Sequence, residues 1–87
     1  MDFAIFHLPT YRDGFAASLN AYYEELTESV RLVDRLGWSR VVVSEHHFHY
    51  YGGAVPHPAV ILAAWARETR RLRLAAGVSL VPLRHPL

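Results

Sequence analysis

Three consecutive valines, Val41-Val42-Val43, separate a helical pattern stopped by Gly37 from a polar, histidine-rich segment that begins at Glu45. A β-branched run without polar alternation reads as a strand covered on both faces, and parallel sheets bury their strands in this way. Two further apolar runs flank it. Phe3 to Leu8 is closed by Pro9, and a third candidate spans Leu72 to Leu83, centred on Leu74 to Val81, with Pro82 and Pro86 ending it. The strand starts near Phe3, Val41 and Leu74 lie about three dozen residues apart with a helical pattern in each gap, the spacing of two successive βαβ units. Both crossovers are expected to be right-handed.

The first helix is predicted from about Ala21, with Asn20 as N-cap. Leu26, Ser29, Val30, Leu32, Val33 and Leu36 share one side, and Glu24, Glu25, Glu28, Arg31, Asp34 and Arg35 lie mostly on the other. The glutamates fall in its first turns, and Glu28 sits at a favourable helical spacing from Arg31 and Arg35. Pro58 marks the first position of a second helix running to about Arg71. Thr10 to Leu19, with its Asp13-Gly14 turn signal, and Glu45 to His57 are loops leaving the C-terminal ends of the first two strands. The order is β-α-β-α-β in an α/β parallel sheet. Periodicity alone leaves a doubly wound sheet and a barrel both open.

Chain length limits what this pattern can close. The 87 residues fall far short of the roughly 250 of a complete (β/α)8 barrel. With 52% hydrophobic and 20% charged residues the composition is globular, not disordered. A formal charge of +1, with basic residues scattered from Arg12 to Arg84, calls for neither nucleic acid nor an acidic membrane as partner. Absence of cysteine excludes disulfides, thiolate metal sites and a cysteine nucleophile. No signal peptide or membrane-length apolar run is recognised, so the expected location is cytoplasmic.

Four of the six histidines, His46, His47, His49 and His57, fall in the loop after the second strand. In α/β folds ligands meet the C-terminal ends of strands, and an imidazole there titrates near neutral pH, as a general acid or base must. The plain alternative is a hydrogen-bonded packing role. His47-x-His49 with Glu45 also has the outline of a metal-binding group, but zinc needs three or four convergent ligands, so no metal is assigned. Gly77, within Ala75-Ala76-Gly77-Val78-Ser79, marks a bulge or a close approach of ligand to backbone, against a simple packing gap. Arg84 suits a phosphate or, more commonly, a solvated carboxylate. No GxGxxG, GxxxxGK[ST] or GxSxG sequence follows any strand.

Together, Glu45-His46-His47-Phe48, Pro58-Ala59, Arg71 to Val78 and Val81-Pro82-Leu83-Arg84-His85-Pro86 resemble the N-terminal part of the bacterial luciferase-like flavin-dependent monooxygenases. Phe3-Ala4-Ile5-Phe6 and Leu36-Gly37-Trp38 fit the same family, so the resemblance covers essentially the whole chain. It implies the N-terminal β-α-β-α-β portion of a (β/α)8 TIM barrel, with parallel strands and a barrel not closed in this chain. It further implies reduced FMN as co-substrate, O2 activated on it, and oxygenation of a small organic substrate. The deazaflavin coenzyme F420 is the alternative cofactor, and the Glu-His-His form favours FMN.

By position, the resemblance gives His46 and His47 catalytic roles, with His46 handling a proton beside the flavin. Gly77 and Val78 match the third-strand bulge, where several members carry a non-prolyl cis peptide under the flavin ring. Phe6, Glu45 and Ser79 complete the cofactor-contacting set, while Phe3, Phe48, Tyr50 and Tyr51 are candidate apolar walls. A flavin reductase is the implied protein partner. Three strands of eight leave an open edge, which favours self-association. The competing readings are a non-catalytic remnant of the family and a small His-rich metal-binding module.

Overall fold

The computed structural model describes residues 1–87 as a three-stranded parallel sheet in the order β1-β2-β3, covered by two helices. β1 spans Ala4–His7, α1 Leu19–Arg35, β2 Arg40–Val43, α2 Pro58–Glu68 and β3 Arg73–Ala76, followed by a short 3-10 turn at Val81–Leu83. The register aligns Phe6 with Val42 and Val42 with Ala75. Each strand is four residues long, so the polar loops begin almost as soon as the valine run ends.

Alternation along the strands sorts the side chains into two faces. Val41 and Val43 are buried beneath the helices with Leu26, Val30 and Val33 of α1, Trp65 of α2, Val55 and Leu72, and Ile5 and Leu74 pack against this cluster. Trp65 is fully buried, and its Nε1 donates to Thr27 Oγ1 at 3.1 Å, so the largest core side chain also has its polar atom satisfied. On the opposite face Phe6 remains half exposed beside Val42. The outer edges of β1 and β3 are where further strands of a barrel would add.

Several element limits differ from the sequence expectation. α1 starts at Leu19 because Ser18, in extended conformation, accepts the Ala21 N–H on its Oγ at 3.0 Å; Ser18 and not Asn20 is the N-cap, and no acidic residue lies in the first turn. Leu32 and Leu36 are exposed, since the buried stripe is the narrower set Leu26, Val30 and Val33. α2 stops at Glu68 rather than Arg71 because Asp34 of α1 accepts the backbone N–H groups of Arg70, Arg71 and Leu72, drawing the chain into a turn. β3 ends at Ala76, well before Val81: after Gly77 the backbone leaves the sheet for the 3-10 turn. Glu28 and Arg31 do pair, and Arg31 also bridges to Glu68 of α2 at 2.7 Å. No helix is long and apolar enough to cross a membrane.

Candidate active site

The polar groups singled out in the sequence gather where β2 and β3 end. Ser44 continues β2 and places its hydroxyl in the interior without any hydrogen-bond partner. A buried polar atom left in that condition is uncommon. The chain continues through Glu45, His46 and His47 and bends from Phe48 to Tyr50.

His46 is half-buried, and its Nδ1 lies 2.9 Å from the Tyr51 carbonyl oxygen. A carbonyl only accepts, so Nδ1 carries the proton and Nε2 is the basic nitrogen. Gly52 permits this contact. Its φ is +72°, and a Cβ there would stand 2.9 Å from His46 Nδ1 and 3.2 Å from Ser44 Oγ. The Gly52 N–H donates to Thr10 Oγ1, which donates to the Leu8 carbonyl, so the loops after β1 and β2 are joined beside His46.

Glu45 is buried, with a side chain wholly removed from solvent. Its Oε1 accepts from His47 Nε2 at 2.9 Å and from Arg84 Nη2 at 2.8 Å, and its Oε2 accepts the Leu80 N–H at 3.0 Å. Burial alone would raise the pKa of this carboxyl. The bonds from His47, the Leu80 N–H and Arg84 outweigh it and bring the pKa down to about 2, so Glu45 is ionised at neutral pH. Arg84 also donates from Nη1 to Ser79 Oγ at 2.6 Å and from Nε to His57 Nε2 at 3.4 Å. Its partner is thus a buried carboxylate, where a solvated one was expected.

Gly77 lies at the end of β3 against Phe6 and Val42. A Cβ on Gly77 would fall 2.4 Å from Val42 Cγ1 and 3.0 Å from Phe6 Cε2, so no side chain fits and the backbone itself forms this part of the floor. The Gly77–Val78 peptide is cis, as the resemblance implied. Val78 and Ser79 are exposed beside it, and Phe3, Phe48, Tyr50 and Tyr51 are exposed as well.

His49 engages the Tyr51 N–H through Nδ1, whereas His47 turns to Glu45, so the two imidazoles separate; no three His, Asp or Glu side chains converge as a metal group would. A concavity of roughly 460 Å³ lies elsewhere, between α1, α2 and Ala54–His57 on the helix side. It is mainly apolar and, of the histidines in the loop after β2, is lined by His57 alone.

Sequence reasoning did not single out Thr10, the Glu45–Arg84 pair or His7. His7 ends β1 but faces the helices, 3.4 Å from Ser29 Oγ and beside the Trp65 ring, and burial lowers its pKa below 6.5. It belongs to the core and not to the site.

The family model for luciferase-like monooxygenases matches residues 1–87, the entire chain. The chain belongs to the luciferase-like monooxygenase family. Limonene 1,2-monooxygenase of Rhodococcus erythropolis is 36% identical over 88 residues, covering 99% of this chain and 21% of that protein. The structure of the monooxygenase RslO1 from Streptomyces bottropensis superposes with a TM-score of 0.87 at 40% identity, over 99% of this chain and 26% of that one. The oxygenating constituent of 3,6-diketocamphane monooxygenase from Pseudomonas putida, in complex with FMN, gives a TM-score of 0.84 at 26% identity, over 99% of this chain and 23% of that one. This luciferase-like chain therefore spans about a fifth to a quarter of the length of these relatives.

Proposed function

We propose that the luciferase-like chain supplies one wall of a flavin site in a monooxygenase that oxygenates a small organic substrate. One observation carries this reading: His46, an imidazole with its basic Nε2 free, leaves the end of β2, and the adjacent β3 ends at Gly77, where no side chain fits and backbone alone is presented. FMN is the favoured cofactor, in its reduced form, because an FMN complex is described for the oxygenating constituent of a related enzyme. Bound there, the reduced flavin supplies electrons for activating O2, a capacity that protein side chains lack.

The residues present fit such a group. Gly77 and Val78 offer flat backbone to a planar ring, Phe6 and Val78 add apolar surface, and the orphaned Ser44 hydroxyl is a polar atom without a protein partner. His46, pinned through Nδ1, can hold or release a proton at Nε2 while its ring stays fixed. His47 has a comparable capacity at Nδ1, its Nε2 being bound to Glu45. Phe3, Phe48, Tyr50 and Tyr51 are the aromatic surfaces available to exclude water once the cleft is covered. Glu45 and Ser79 serve the site through Arg84, which holds both.

A flavin reductase is the corresponding partner, since the related diketocamphane protein is itself one constituent of its monooxygenase. Self-association through the open strand edges and a cytoplasmic location belong to the same reading. Titration of the purified chain with oxidised and reduced FMN, followed by flavin fluorescence and elution size, tests it. Saturable binding is expected; absence of binding in every oligomeric state would overturn it and leave the non-catalytic remnant. The same titration with the deazaflavin separates the two cofactors.

A further inference from the structure

We propose that Glu45 is the positioning residue of this site: its buried carboxylate holds His47 and the segment Leu80–Arg84 in one arrangement and touches no ligand itself. Its importance for catalysis rests on the flavin-site reading above, but its geometry does not.

The three donors reach the carboxylate from different parts of the chain. His47 belongs to the loop after β2, the Leu80 N–H to the segment after β3, and Arg84 follows the 3-10 turn. With no exposure to solvent, the carboxylate has only these groups to replace its hydration. Arg84 neutralises the charge and extends the grip to Ser79 and His57, the residue preceding α2. One side chain therefore links the His46-His47 loop, the start of α2 and the backbone that follows Gly77–Val78.

The chemistry of the acceptor fixes its neighbour. An ionised carboxylate cannot donate, so the proton of neutral His47 resides on Nε2 and the opposite nitrogen is left as acceptor. Glutamine keeps the length of Glu45 but replaces one acceptor oxygen by an NH2 group, which would face the Leu80 N–H or the His47 and Arg84 donors. Aspartate keeps the charge and is one methylene too short to reach all three.

The test uses the full chain, with 15N-labelled histidine rings and backbone amides observed by NMR near pH 7. In the unaltered protein, neutral His47 should carry a slowly exchanging proton on Nε2, and the Leu80 amide should be protected. E45Q should speed exchange at both places by at least about tenfold, while the His46 Nδ1 proton and the Val42 and Val43 amides keep their protection. Unchanged exchange at His47 and Leu80, or a parallel fall across β2 as expected of a merely stabilising residue, would overturn the proposal. If E45Q does not fold, the unaltered protein decides: His47 protonated on Nδ1, or an unprotected Leu80 amide, overturns it. FMN titration of the same samples is read separately; failure to bind with the Glu45 pattern intact refutes the flavin site and not the positioning role.

Discussion

His46 and His47, adjacent in sequence, are held through opposite ring nitrogens: Nδ1 of His46 lies 2.9 Å from the Tyr51 carbonyl oxygen, and Nε2 of His47 lies 2.9 Å from Glu45 Oε1. Each acceptor dictates where the proton sits, so the two neutral imidazoles are opposite tautomers with basic nitrogens at different ring positions. His46 Nδ1 and the orphaned Ser44 hydroxyl both lie against Gly52.

This asymmetry predicts unequal consequences of substitution. In an assembled enzyme containing this segment, His46→Ala should lower turnover by about 10² to 10⁴-fold, the usual range for a positioned general acid or base, with little change in flavin affinity. Steady-state kinetics and flavin titration on the same preparations check it. An unchanged rate removes His46 from proton transfer.

Acid should destabilise the chain in two separate windows. Burial lowers the His7 pKa, so the unfolded chain takes up the proton first. The stability that this group permits is complete above pH 6.5 and falls as pH drops below that value toward the lower folded pKa. Glu45 behaves as a depressed carboxylate, its contribution being intact above pH 4.5 and lost as pH falls toward about 2. Urea midpoints measured from pH 8 to pH 2 should show both declines, with His7→Phe flattening the upper one and leaving the lower. A flat profile between pH 7 and pH 5 would contradict the burial of His7.

The parallel sheet was legible because its causes are local. An unalternating Val41-Val42-Val43 run, a proline at the start of α2 and a glycine after α1 each act within a few residues. The place of His46 in the loop leaving β2 was legible for a related reason, since that loop begins where the valine run stops. What sequence could not supply was pairing at a distance. Glu45 and Leu80 lie 35 positions apart, and Asp34 and Leu72 lie 38 apart, yet these contacts fix the site and the end of α2. Helix α1 shows the same limit at shorter range. The periodicity puts Leu32 and Leu36 on the same side as Leu26, Val30 and Val33, yet only the last three are buried.

Gly77→Ala should destabilise the chain through overpacking. Its Cβ would lie 2.4 Å from Val42 Cγ1 and 3.0 Å from the Phe6 ring, so either the strand end or both side chains must move, at a cost of about 1 to 3 kcal/mol. A shift of that size in chemical denaturation is readily measured, and the double variant Gly77→Ala/Val42→Ala should recover part of it. A loss equal in both variants would place the clash elsewhere.

Asp34 gives the sharpest test of how the second crossover is built. Desolvation raises its pKa, but the N–H groups of Arg71, Arg70 and Leu72 outweigh that effect and hold the carboxyl below its ordinary value of 3.8. Those three amides follow closely on α2, so Asp34 of α1 defines the turn into β3 and through it the start of the strand that ends at Ala76. Asp34→Ala strands at least the amide of the buried Leu72, and a loss of about 1 to 3 kcal/mol is expected. Asp34→Asn keeps one acceptor oxygen and should fall between. Hydrogen exchange should locate the effect at Arg70 to Leu72, with the amides of β2 affected only as far as global stability falls. A uniform loss across the sheet, with no excess at the turn, would show that Asp34 acts on the whole fold and not on this connection.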